Sequence, residues 1–136
     1  MKTIFTDAKA VQCISPQSGN NTTLNGTTID LTGHDGIEFV CAVGAQDAVV
    51  TFKVQVGTLS DGSDMADVTG LSQAFSATDD NKVTILSLRE STKRYARVVA
   101  TLGNGTAQLV SAIGLLVGNR QLPEAQSFGG VLKVGA

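Results

Sequence analysis

The sequence predicts an all-β protein, an antiparallel β-sandwich, and three observations lead there. Apolar and polar residues alternate with period two through several short runs, turn dipeptides punctuate the chain, and no long stretch keeps a helical period. The alternation is clearest over residues 48–56. There Val50, Phe52, Val54 and Val56 share one face and Thr51, Lys53 and Gln55 the other, the pattern of a strand with one face in a core. A helix would scatter Lys53 and Gln55 into the apolar stripe.

The elements follow in order. Ala8, Val11 and Ile14 recur every three residues, in a stretch too short to separate helix from strand. Residues 15–28 are rich in Ser, Asn, Thr and Gly around Pro16 and read as a loop or extended arm. Asn25-Gly26 and Asp35-Gly36 are turn dipeptides, with a short strand over 27–31 between them. Residues 36–43 alternate Ile37, Phe39, Cys41 and Val43 on one face. Residues 60–70 read as a polar loop with a short strand near 65–68, residues 77–81 as a turn and 82–88 as the next strand. Residues 90–93 turn the chain again, and 94–102 set Ala96, Val98, Ala100 and Leu102 against Tyr95, Arg97, Val99 and Thr101. Asn104-Gly105 is the strongest hairpin signal. The return strand, 107–117, is apolar on both faces, with Leu109, Ile113, Leu115 and Val117 on one and Val110, Ala112 and Leu116 on the other. A strand of that kind belongs in the middle of a sandwich or at a subunit interface. Roughly seven or eight short strands with a turn about every ten residues is the pattern of a sandwich or barrel.

Residues 119–136, with Pro123, Gly129, Gly130 and Gly135, depart from the pattern and read as a tail. Its Val131, Leu132 and Val134 either add a strand to a neighbour's edge or belong to a frayed terminus. The expected organisation is an N-terminal arm over 1–28, a sandwich over 29–118 and a C-terminal tail over 119–136. Gly- and Asn-rich arms cannot offset the ordering cost of about 1–2 kcal/mol per residue and are expected to order against a partner.

A chain of 136 residues fits one domain that can bury a core without metals or disulfides. With no Trp, one Tyr and five Phe, that core must be filled by Val, Ile, Leu and Ala. Charged residues are 16% of the chain, against about 25% in ordinary soluble domains. Either the exterior is a neutral Thr/Ser/Asn surface or part of it is covered by partners. A net charge of −2 gives no case for nucleic-acid binding. The start of the chain does not read as a signal peptide and no run approaches a membrane span, so synthesis in a host cytoplasm and no membrane partner are expected. Four N-x-S/T sequons carry no meaning without a secretory route. Cys41, in an apolar run, reads as a buried free thiol, and a Cys13–Cys41 bridge is the alternative.

Candidate chemistry is sparse. His34 beside Asp35 fits a base and its orienting carboxylate, but between Gly33 and Gly36 it reads as a turn histidine. Asp61, Asp64 and Asp67 recur every three residues, the wrong spacing for an EF-hand, and read as turn residues. Lys93, Arg94 and Arg97 are the only concentrated positive charge, with interface salt bridges the expected use. No phosphate loop, paired-acid site or zinc spacing occurs. The expectation is no enzyme, no cofactor and no metal.

The segment from Val54-Gln55-Val56 to Ser60-Asp61-Gly62-Ser63-Asp64-Met65-Ala66-Asp67-Val68 resembles small virion proteins of tailed phages. There, a strand leads through a Ser/Asp/Gly turn into a short strand. Lys93-Arg94-Tyr95-Ala96-Arg97-Val98-Val99-Ala100-Thr101 is similar to their strand before the last hairpin, and Leu115-Leu116-Val117-Gly118-Asn119-Arg120-Gln121-Leu122-Pro123 to its exit. The resemblance covers roughly residues 29–123. It implies a jelly-roll or related sandwich that sits on a capsid surface as a homodimer or homotrimer and clamps the major capsid protein. Together with the apolar strand and tail, it marks Arg94, Tyr95, Arg97, Leu115, Val117, Val131 and Leu132 as interface candidates. A tail or head-fibre component and a carbohydrate-binding sandwich are the alternatives. With no Trp and only Tyr95 to stack on a sugar ring, the second is poorly equipped.

Overall fold

In the computed structural model, which describes residues 4–118, the period-two runs become strands whose apolar faces meet. A helical turn (Ile4–Asp7) precedes β1 (Lys9–Gly19), β2 (Thr22–Asn25), β3 (Ile29–Asp30), β4 (Gly36–Val43) and β5 (Val50–Gly57). There follow β6 (Ala66–Phe75), β7 (Lys82–Arg89), β8 (Tyr95–Leu102) and β9 (Gln108–Val117). They form two antiparallel sheets, one ordered β1-β9-β4-β7 and the other β2-β8-β5-β6, with β3 also on β8. Consecutive strands change sheets repeatedly, which is the interleaving of two Greek keys in a jelly roll. The expected all-β sandwich of jelly-roll type is the fold observed.

The core is the layer between the sheets. Ile37, Phe39 and Cys41 of β4 face Val50, Phe52 and Val54 of β5 and Ala96, Val98 and Ala100 of β8, all inaccessible to solvent. The small residues on β8 make room for the rings. Phe52 meets Phe75 edge-to-face, centroids 6.2 Å apart at 83°. Each such buried apolar side chain contributes about 1.5–3 kcal/mol relative to exposure.

Three sequence expectations change. The N-terminal arm over 1–28 is corrected, because β1 pairs with β9 and β2 with β8, and Cys13 and Ile14 are buried in the core. The sandwich therefore begins at Lys9. Its composition hid it because β1 is an edge strand: Ser15, Pro16, Gln17 and Ser18 are exposed, and Pro tolerates an edge where no ladder donor is needed. Register shifts after Gln12 and after Ile14 are bulges of the kind that blunt an edge.

The Asn104-Gly105 hairpin is also corrected, since β8 and β9 lie in different sheets. The corner is held from outside: Asn20 Oδ1 accepts the Gly105 N–H at 2.7 Å and Asp47 Oδ2 the Thr106 N–H at 2.6 Å. The short strand near 65–68 is longer, running to Phe75 through Gly70 at φ +85°. β6 is a mostly exposed edge, so few of its residues are apolar enough to announce it. The outer side of β9 is open in the single chain, with Leu109 and Ile113 46% and 40% exposed. Residues 119–136 lie outside the described residues.

Candidate protein-interaction face

The two sheets turn very different outer surfaces to solvent. On the β1-β9-β4-β7 sheet, residues directly opposite in register share a face. Gln12 pairs with Ile113, Ile113 with Val40, and Val40 with Ile85. This outward row crosses all four strands and is apolar on three of them. The next outward positions continue it: Ser111, Ala42 and Val83 on one side, Leu115, Glu38 and Ser87 on the other. Val83 and Ile85 are 61% and 59% exposed. A contiguous apolar patch of this kind on a sheet face marks an interaction surface.

The charge on that face is confined to one corner. Arg89 Nη2 donates to Glu38 Oε1 at 2.9 Å, and Ser87 Oγ donates to the same oxygen at 3.0 Å. The pair neutralises itself and leaves the rest of the face uncharged.

The outer side of the other sheet is polar and internally bonded. Lys53 Nζ donates to Asp67 Oδ2 at 3.0 Å and Gln55 Nε2 to Asp67 Oδ1 at 2.7 Å. Arg97 Nε donates to Gln55 Oε1 at 2.9 Å. Gln55 and Lys53 together hold the Asp67 carboxyl below its ordinary range.

The sequence-predicted interface residues divide between these surfaces. Leu115 and Val117 lie on the apolar face, half-buried beside Glu38 and Gly36. Arg97 is on the polar sheet. Tyr95 opens β8 opposite Asp30 and Gly57. Arg94 donates to both oxygens of Asp30, at 3.1 and 2.8 Å, with its guanidinium 5.2 Å from the Tyr95 ring centre. That fork holds the Asp30 carboxyl well below the usual carboxylate range. Within the positive cluster, Arg94 is paired inside the chain with Asp30. Val131 and Leu132 lie outside the described residues.

Sequence reasoning missed Val40, Val83 and Ile85. Their signal is the loss of alternation: Val40 interrupts the Phe39–Val43 run with a second apolar face, and Val83 and Ile85 oppose Leu86 and Leu88 on one strand.

The other candidates resolve into turn chemistry. Asp64 accepts the Thr58 N–H at 2.8 Å, the Leu59 N–H at 3.1 Å and the Thr58 hydroxyl, which lowers its carboxyl to about 2. Asp61 Oδ1 accepts the Ser63 N–H at 3.0 Å. His34 sits in the turn before β4 with Nδ1 3.2 Å from the Thr32 carbonyl. It borders a cleft of about 700 Å³ lined by the 31–35 and 89–94 loops. Cys13 and Cys41 are both free and buried, and burial pushes each thiol up to about 12.

No protein-family model matches the chain, and no curated protein matches it. Solved structures match it at low sequence identity. The PBSX exported protein XepA matches with a TM-score of 0.56 at 14% identity, over 93% of this chain and 43% of XepA. The chain therefore spans less than half of that protein. PirA matches with a TM-score of 0.48 at 13% identity, over 85% of this chain and 96% of PirA. The SPBc2 prophage-derived protein YomS matches with a TM-score of 0.46 at 8% identity, over 85% of this chain and 98% of YomS. At these identities the likeness to XepA is one of fold.

Proposed function

We propose that the chain is a structural protein of a bacteriophage particle, one that sits on the outside of the capsid and cements neighbouring major capsid protein subunits without catalysing a reaction. The observation that carries the structural, protein-binding part of this reading is the apolar outer face of the β1-β9-β4-β7 sheet, which another chain, a second copy included, can cover. Leaving Val83, Ile85, Leu109 and Ile113 in water forgoes about 25 cal/mol for each Å² of apolar surface. That loss is recovered when another protein covers them. On the opposite, polar sheet Lys53 and Asp67 pair with each other.

The resemblance of residues 29–123 to small virion proteins supports the same reading, and the PBSX exported protein XepA shares the fold. The test is composition. Mass spectrometry of separated heads and tails, from particles encoded by the same genome, should find the chain in the head fraction with the major capsid protein. Its absence from particles, or its presence in tails alone, would overturn the capsid reading.

A further inference from the structure

We infer that the occupant of the apolar face is a second copy of this chain, packed sheet to sheet about a twofold axis that runs along the row Gln12–Ile113–Val40–Ile85. The inference rests on the face itself and holds whether or not the particle is a phage head.

An isologous interface needs a surface complementary to itself, and this row provides one. A twofold along the row sets Ile113, Val40 and Ile85 each against its own counterpart, so apolar meets apolar. Gln12, at the end of the row, carries both an amide donor and an acceptor and can bond its own copy. Residues on the axis stay paired whatever the twist of the sheets, which fixes the contact despite the roughly 30° offset of packed sheets.

Charge selects this axis. The only ionisable side chains at outward positions in register across β9, β4 and β7 are Glu38 and Arg89. An axis along β4 would put Glu38 of one copy over Glu38 of the other. The axis along the row sends each Glu38 over Ala42 instead. Glu38 lies two residues from Val40 along β4, so the two carboxylates stand about 14 Å apart at ~3.4 Å per residue, beyond the ~8 Å screening length in physiological salt. Leu109 of one copy then covers Val117 of the other.

The area sets the strength. Four strands at ~4.8 Å and eight residues at ~3.4 Å make a face of roughly 20 by 27 Å. That is on the order of 500 Å² per copy and 1,000 Å² for the pair, at the lower edge of specific interfaces, so a micromolar dimer is expected. Such a dimer turns its two polar sheets outward in equivalent positions.

Sedimentation equilibrium and cysteine cross-linking test the pairing. The wild-type chain should be dimeric at about 100 µM. Ile85→Glu, on an exposed edge-strand position, should be monomeric with its thermal midpoint unchanged, and Thr101→Glu, on the polar sheet, should remain dimeric. A bismaleimide cross-linker of about 10 Å should join the Ile85→Cys protein to itself, because facing sheets pack about 10 Å apart, beyond the ~7 Å Cα separation a disulfide spans. A wild-type monomer at that concentration would overturn the inference, as would an Ile85→Glu dimer. Cross-linking only in a mixture of Ile85→Cys and Ile113→Cys proteins would overturn the axis by placing it along β4. A monomer that loses particle binding on Ile85→Glu substitution would give the face to the particle instead.

Discussion

Asp47 and Gln108 join the two ends of the β4–β5 and β8–β9 connections: Gln108 Nε2 donates to Asp47 Oδ1 at 2.8 Å, with Gln108 wholly buried. The same carboxylate accepts the Thr106 N–H. One exposed acid thus holds the corner at which the chain crosses between sheets. Asp47→Ala should lower the thermal midpoint by several degrees, because it leaves a buried amide without its acceptor. Asp47→Asn, which keeps an acceptor oxygen, should recover part of the loss. An unchanged midpoint in Asp47→Ala would show that the turn holds itself.

Core and face should respond oppositely to truncation. Phe52→Ala removes a buried ring and its contact with Phe75 and should cost about 3–5 kcal/mol in denaturant unfolding. Ile85→Ser, at a 59% exposed position, should stay within about 0.5 kcal/mol of wild type in dilute protein. A large loss for Ile85→Ser would make it part of the fold and not of an interface.

Acid stability follows from the carboxylates. Asp64 and Asp79 are lowered to about 2, Asp64 by Thr58 and Leu59 donors, and Asp79 by Lys82 and Ser76. Asp30, Asp47, Asp61 and Asp67 are lowered as well. A group whose pKa is depressed on folding adds stability above its unfolded value, and that stability is lost as pH falls towards the folded value. The thermal midpoint should hold from pH 7 to about pH 5 and fall between about pH 4 and pH 2. Asp64→Asn should lower the midpoint at pH 7 and flatten that fall. An identical pH profile in Asp64→Asn would remove the carboxylate from the account.

The cysteines should be silent. With both thiols buried and pushed up to about 12, the thiolate that reacts is scarce near neutral pH. A thiol reagent at pH 8 should label neither Cys13 nor Cys41 in native protein and both in denaturant. Fast labelling of the native protein would contradict the burial of β1 against the core.

What the sequence made legible follows the physics of burial. β4, β5, β7 and β8 each carry at least one alternating apolar face, and their expected ranges agree with the strands to within two residues at either end. β1 and β6 are edges that expose Ser, Thr, Gln and Asp over most of their length, so they lack the apolar contrast that β7, also an edge, keeps through Leu86 and Leu88. Leu115 and Val117 were found because β9 is apolar on both sides. Val40, Val83 and Ile85 needed the register, which only the folded sheet supplies. The pairing of Arg94 with Asp30, 64 residues away in sequence, likewise needed the fold.

If the apolar sheet face is covered in the assembled state, single engineered cysteines on the two sheets should label differently. Ile85→Cys reports on the apolar face and Thr101→Cys on the polar one, while the native thiols stay hidden. At about 10 nM, far below a micromolar dissociation constant, both proteins should label with maleimide at similar rates. Assembled on particles, Ile85→Cys should be protected at least tenfold while Thr101→Cys keeps more of its reactivity. Equal labelling of Ile85→Cys in the dilute and assembled states would contradict the claim.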